Sequence, residues 1–186
     1  MKRCAWVNAK NLKMVEYHDT EWCVPVFDDT KLFEFILLES AQAGLSWETI
    51  LNRRNEYRKA FKNFDPKKVA RMTQEDVEKL QTNIGIIRNR LKIESSISNA
   101  RVFITIQKEF GSFSTYMWSW VYNRQIKNTW KTGEMIPVYN DVAEKFSKDM
   151  KKRGFKFFGP TICYAYMQAV GMVNDHTQEC FRYHKV

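Results

Sequence analysis

The chain has 186 residues, 44% of them hydrophobic, and its 30 Lys and Arg against 21 Asp and Glu give a formal charge of +9. That composition excludes a disordered chain, and four cysteines are too few for a disulfide scaffold. The opening MKRCAWVNAK lacks the apolar stretch of a signal peptide and no apolar run is long enough for a bilayer, so the expectation is one soluble, cytoplasmic domain over residues 1–186 with no membrane partner.

In chain order the elements read as helices almost throughout. Asp28-Asp29-Thr30 starts a helix through Lys31 to Leu38. Gly44-Leu45-Ser46 breaks it, and Ser46 caps a second helix from Trp47 to Phe61. Asp65-Pro66 opens a short helix, and Thr73-x-x-Asp76 opens another that ends near Asn83 and Gly85. Residues 88–109 repeat apolar side chains at helical period, and Phe113 to Val121 forms a short aromatic helix. The polar stretch 124–138, with Gly133 and Pro137, reads as a loop. Helices over Asp141 to Arg153 and Pro160 to Met172 complete an all-α chain without convincing strands, repeats or linkers.

Three groups of residues carry chemistry. Cys4 and His18 near one end, and His176 and Cys180 near the other, are zinc-ligand types. On a helix, His176 and Cys180 would share a face. Meeting of all four would tie the termini together in a closed structural site, although buried cysteine is also an ordinary small hydrophobe. The segment Lys151-Lys152-Arg153-Gly154-Phe155-Lys156-Phe157-Phe158-Gly159-Pro160-Thr161 joins two helices through a basic, glycine-containing turn. Free N–H groups at the second helix start can hold a phosphate, as in a helix-hairpin-helix module, and a plain helical hairpin fits the same residues. Glu39 sits in an apolar helix, and Trp6, Tyr17, Trp22 and Trp47 are its candidate aromatic company. A buried acid beside indoles suits a flat, cationic, N–H-donating ligand; a surface acid over core tryptophans is the plain alternative. The excess of positive charge favours a polyanionic partner.

Motifs in order from both ends sharpen the reading. They are Arg3-Cys4-Ala5-Trp6, Tyr17-His18-Asp19 with Glu21-Trp22, Leu38-Glu39-Ser40-Ala41-Gln42-Ala43-Gly44-Leu45-Ser46-Trp47, Gly85-Ile86-Ile87-Arg88, Lys152-Arg153-Gly154-Phe155-Lys156-Phe157 and Met172-Val173-Asn174-Asp175-His176. Through them the chain resembles the 3-methyladenine DNA glycosylase I family over nearly its whole length. The resemblance implies the helix-hairpin-helix DNA glycosylase fold, with a structural zinc on Cys4, His18, His176 and Cys180. It implies a monomer that flips 3-methyladenine out of alkylated double-stranded DNA and hydrolyses its N-glycosidic bond. Glu39 would be the acid that accepts from the base, Tyr17 its assistant, Trp47 the stacking partner, and Trp6 and Trp22 the pocket walls. Gln42, Gly44 and Leu45 would fill the gap left by the flipped nucleotide. Gly154, Phe155, Lys156, Gly159 and Thr161 would hold the backbone, with Arg88, Arg90 and Lys92 as further phosphate contacts.

Many helix-hairpin-helix glycosylases carry a catalytic aspartate two residues before a histidine; aligned on His176, that place holds Asn174, and Asp175 is one position off. No hairpin lysine nucleophile is evident, so a monofunctional enzyme limited to weakly bonded lesions is expected. Two departures from the family pattern are Cys23, where glycine commonly stands, and Met14, where an aromatic is frequent. Cys23 and Cys163 read as reduced thiols without a role.

Overall fold

The computed structural model describes all residues 1–186. Nine α-helices dominate: α1 (Leu12–Thr20), α2 (Asp29–Gln42), α3 (Trp47–Ala60), α4 (Pro66–Val69), α5 (Gln74–Thr82), α6 (Arg90–Phe110), α7 (Phe113–Ser119), α8 (Asp141–Lys152) and α9 (Pro160–Ala169). Helix α1 was not anticipated from the sequence. It has only weak amphipathic patterning, and it supplies Tyr17 and His18.

Helix starts are written locally. Asn11, Asp28, Ser46, Asp65, Thr73, Asn89, Ser112 and Asn140 each accept a backbone N–H of the helix that follows. Thr73 and Asp76 form a reciprocal capping box. Helix α9 is the exception: Gly159 precedes it and no side chain caps it.

Helix α2 is the centre of the packing. Every side chain from Leu32 to Ala41 is buried, Glu34, Glu39 and Ser40 included. The helix contacts α3, α6, α7 and α9, which is why its sequence is apolar all round rather than striped. Glu34 is matched by Arg54 at 2.8 Å and Arg58 at 3.0 Å. Asp29, in the first turn of α2, accepts from the N–H groups of Phe113 and Ser114 at 2.9 Å and so fixes the start of α7.

The expectation of no strands needs a small correction. Ile126 and Lys127 (β1) pair in parallel with Val173 and Asn174 (β2). Two residues are too few to show an alternating pattern, so nothing in the sequence announced them. The same feature ends α9 at Ala169, before the expected Met172. Gly171 adopts φ +74° and turns the chain into β2. A Cβ at Gly171 would lie 2.3 Å from the carbonyl carbon of Val24 and 2.4 Å from the nitrogen of Pro25. Gly171→Ala therefore combines a left-handed backbone with a clash against backbone atoms. A loss of about 3 kcal/mol or more is expected in urea unfolding; a change under about 1 kcal/mol would show that the neighbouring segment yields.

Candidate active site and metal centre

The chain ends meet. The backbone N–H of Phe181 donates to the carbonyl of Lys2 at 3.0 Å, and the Lys2 and Glu179 side chains form an ion pair. Beneath them Cys4, His18, His176 and Cys180 are all buried, with ligand atoms within 4.8 Å of one another. The sulfur–nitrogen separations are 3.5 Å for Cys4–His176 and 3.4 Å for both Cys180–His18 and Cys180–His176. A tetrahedral zinc site with metal–sulfur bonds of about 2.3 Å and metal–nitrogen bonds of about 2.0–2.1 Å has S···N edges of about 3.5 Å. This cluster can hold a metal ion.

The surroundings prepare the donors. Nδ1 of His18 donates to Asp19 at 2.8 Å, leaving Nε2 toward the cluster, and Arg3 grips Asp19 in turn. Nε2 of His176 donates to the carbonyl of Trp22 at 3.2 Å, leaving its Nδ1 inward. Burial lowers both imidazoles, His176 to about 3, so they are neutral. Burial pushes the Cys4 thiol up to about 12, a cost that a cation would offset. The expected helical geometry of His176 and Cys180 is corrected: the segment after β2 is irregular with turns, and the four-residue spacing is bridged by the N–H of Cys180 donating to Thr177.

A cavity of about 510 Å³ opens beside this junction, within the range of small-molecule sites. Trp6, Met14, Tyr17, Trp22, Glu39 and Trp47 line it, with Gln42, Ser46, Glu48, Ala165, Gln168 and the loop at Gly133 and Ile136. The five expected pocket residues are therefore together. The rings of Trp6 and Trp22 meet edge-on at 4.9 Å, and Tyr17 lies 5.1 Å from Trp47. Trp22 also packs against His176 at 4.7 Å, so one wall of the cavity leans directly on the metal cluster.

Glu39, in the last turn of α2, is 3% exposed, and its Oε2 has no hydrogen-bond partner; buried Nε1 of Trp47 is likewise unpaired. Burial alone raises the Glu39 carboxyl to about 8. Unpaired buried polar groups are costly, and two of them on residues that line one aromatic cavity mark it as a candidate ligand site. Tyr17 also stays protonated, its phenol pushed up by burial and then by Glu39.

Two surface features stand out, and the first, at Gln42 and Ser46, borders the cavity. Gln42 ends α2, while Gly44 (φ +77°) and Leu45 project at the break, Leu45 being 39% exposed. The α8–α9 turn exposes Gly154, Lys156, Gly159 and Thr161, and leaves the start of α9 uncapped. Helix α6 holds both features. Nζ of Lys92 donates to the carbonyls of Ala41 at 2.8 Å and Ala43 at 2.5 Å. The Asn99 side chain both donates to and accepts from the Lys156 backbone at 2.9 Å. Seven residues separate Lys92 from Asn99, so they share a face of α6 about 10 Å apart along its axis.

Several sequence expectations change here. The Phe155 side chain is buried against Phe113 and Phe158, which leaves only its backbone near the surface. Lys92 is spent inside the protein rather than left for phosphate. Arg90 pairs with Glu94, Arg54 with Glu21 and Glu34, and Arg153 with Glu109 and Asp149, whereas Arg88 and Lys156 form no ion pair. Cys23 has a structural part: it is buried at φ 64°, and its sulfur accepts the Asp175 N–H at 3.4 Å. That positive φ accounts for glycine at the corresponding turn. Neither Asn174 nor Asp175 reaches the cavity; Asn174 donates to the carbonyls of Tyr183 and Val186. Sequence reasoning missed Gln168, Ala165, Gly133 and Ile136, which no motif signals.

The Glu39 carboxyl sets a pH dependence. Near its ordinary value of 4.5 and below, folded and unfolded chains both hold the proton. From there to about 8 only the folded chain does, so stability falls as pH rises through this window. Glu39→Gln removes that loss. Its melting temperature is expected to exceed the parent's at pH 8, with the gap closing toward pH 5; a gap independent of pH would contradict the buried-acid assignment.

Known proteins agree with this geometry. The Methyladenine glycosylase family model matches residues 6–183. The DNA-3-methyladenine glycosylase 1 of Escherichia coli is 48% identical over 183 residues, covering 98% of this chain and 97% of its own. The DNA-3-methyladenine glycosylase of Haemophilus influenzae is 45% identical over 178 residues, 96% of each chain. A crystal structure of 3-methyladenine DNA glycosylase I superposes with a TM-score of 0.94 at 47% identity, covering 97% of this chain and 98% of the other. With the family model spanning residues 6–183 and relatives alike over nearly their whole length, the chain belongs to the methyladenine glycosylase family.

Proposed function

We propose that this protein removes 3-methyladenine from alkylated double-stranded DNA, acting as a single-domain, monomeric, monofunctional glycosylase in the cytoplasm. The observation that carries the reading is Glu39: an acid without a partner, buried in an aromatic cavity. Methylation at N3 makes the base cationic and weakens its bond to deoxyribose. A cation beside Glu39 favours the ionised carboxylate, which accepts a hydrogen bond from the base. Trp47 stacks on the ring, Tyr17 assists, and Trp6 and Trp22 bound the site, each aromatic face favouring the cation over neutral adenine.

The nucleotide flips into the cavity while Gln42, Gly44 and Leu45 occupy the space it leaves. Gly154, Lys156, Gly159, Thr161 and the backbone at Phe155 hold phosphates of the lesion strand at the open start of α9, a helix-hairpin-helix use of free N–H groups. The C1′–N9 bond then breaks with its electron pair moving to the base, which leaves neutral, and water oxygen joins C1′ with loss of a proton. Besides Glu39, the carboxylate lining the cavity is Glu48, whose Oε1 is held by the side-chain amides of Asn8 at 2.9 Å and Asn11 at 2.7 Å; a lesion whose leaving group is already charged needs little activation of water.

Base release from methylated duplex DNA, resolved by chromatography, tests the reading. Free 3-methyladenine is expected from the parent, with a rate at least about tenfold lower in Glu39→Gln and little 7-methylguanine from either. Undiminished release by Glu39→Gln, or release of 7-methylguanine at a matching rate, would overturn it.

Zinc is the metal that the two thiols and two imidazoles fit, and Cys4, His18, His176 and Cys180 would hold it in a closed, structural role. Elemental analysis should find about one zinc per chain. Cys180→Ser should lower both zinc content and melting temperature; a metal-free protein with an unchanged melting curve would exclude the assignment.

A further inference from the structure

Asp175 is fully buried and lies outside the cavity wall, yet it accepts four hydrogen bonds at 2.7 Å. The donors are Asn128 Nδ2, Trp130 Nε1, the Tyr164 hydroxyl and Gln168 Nε2. Four bonds fill the acceptor positions of a carboxylate. Such a group only accepts, so the Gln168 amide must turn its –NH₂ toward Asp175. Gln168 also lines the cavity, and no protein group donates to its Oε1. The bond uses one of the two N–H groups of Nε2, and the amide oxygen is the acceptor that Gln168 retains. A freely turning amide would exchange the places of oxygen and nitrogen; the bond to Asp175 fixes them.

We propose that Gln168, oriented by Asp175, is a specificity residue that accepts an N–H from the exocyclic amino group of the bound base. This rests on the base-binding reading of the cavity and adds a second acceptor to Glu39. An amino group has two N–H bonds, and two acceptors can take one each. A purine with a 6-oxo group sets an acceptor against an acceptor there, leaving both unpaired in a buried site. Selection for the 6-amino purine thus comes from a neutral amide as well as from the charge-sensitive acid.

The test titrates the protein with free 3-methyladenine and with 3-methylpurine, which lacks the amino group, following tryptophan fluorescence from the cavity. Gln168→Met is expected to bind 3-methyladenine about tenfold more weakly than the parent and 3-methylpurine within about twofold of it. Gln168→Leu, shorter than Met and likewise without an acceptor, is expected to lose the preference for the amino base in the same way. Each variant is compared with itself on two ligands, so partial misfolding scales both affinities and leaves their ratio. Equal weakening on both ligands, or none, would overturn the specificity role. Should Gln168→Met fail to fold, an undiminished preference in Gln168→Leu would do the same. If the parent binds neither base, the base-binding reading of the cavity falls first, and this inference with it.

Discussion

Closure of the chain ends on four buried ligand atoms is the constraint from which the rest of the site follows. Cys4 and His18 come from the first residues and α1, His176 and Cys180 from the last segment. Apart from α1, those flanks have little regular structure of their own: a two-residue strand pair and a few turns. Yet the N-terminal flank supplies Trp6, Met14, Tyr17 and Trp22 to the cavity wall. Trp22 packs on His176 and receives its N–H, Trp6 packs on the edge of His18 at 5.5 Å, and Tyr17 immediately precedes His18. Asp175, next to His176, gathers the 128–130 loop and α9. A metal bound there would act on the cavity without entering it, by fixing where these side chains stand.

The acid in that cavity is expensive for the free protein. Helix α2 is wrapped on all sides, and Glu39, unlike Glu34 on the same helix, has no basic partner. Glu34 meets Arg54 and Arg58 and is structural; Glu39 meets aromatic faces and waits for a charge. Two buried acids on one helix, five residues apart, thus differ in role because of their neighbours alone. Under the proposed function this serves a protein that must ignore the great excess of neutral adenine: a cationic base in the cavity would complement the acid and offset its desolvation cost.

Helix α6 supplies the second rigid relation. Its Lys92 satisfies carbonyls at the end of α2, and its Asn99 pins the turn between α8 and α9. Those are the two surface features proposed to meet DNA, and one helix sets their spacing. Positive charge at residue 92 therefore serves the fold. A charge count from sequence could not separate it from Lys156, which is exposed and unpaired.

What the sequence by itself determined is largely local or carried by ordered motifs. Capping residues located the starts of α2 to α5, because a cap acts within three residues of itself, and apolar periodicity placed α6. The family motifs identified the four metal-type ligands and the five pocket residues, since a ligand or a stacking ring is tied to its residue type. Only the tertiary structure decided which charges are spent, that Phe155 faces inward, that His176 and Cys180 meet through turns rather than a helix, and that α1 and the short strand pair form at all. It also decided that Gln168 stands at the cavity with its amide turned by Asp175. These depend on contacts between residues far apart in the chain, where burial and partner choice outweigh local preference, and no spacing along the sequence encodes them.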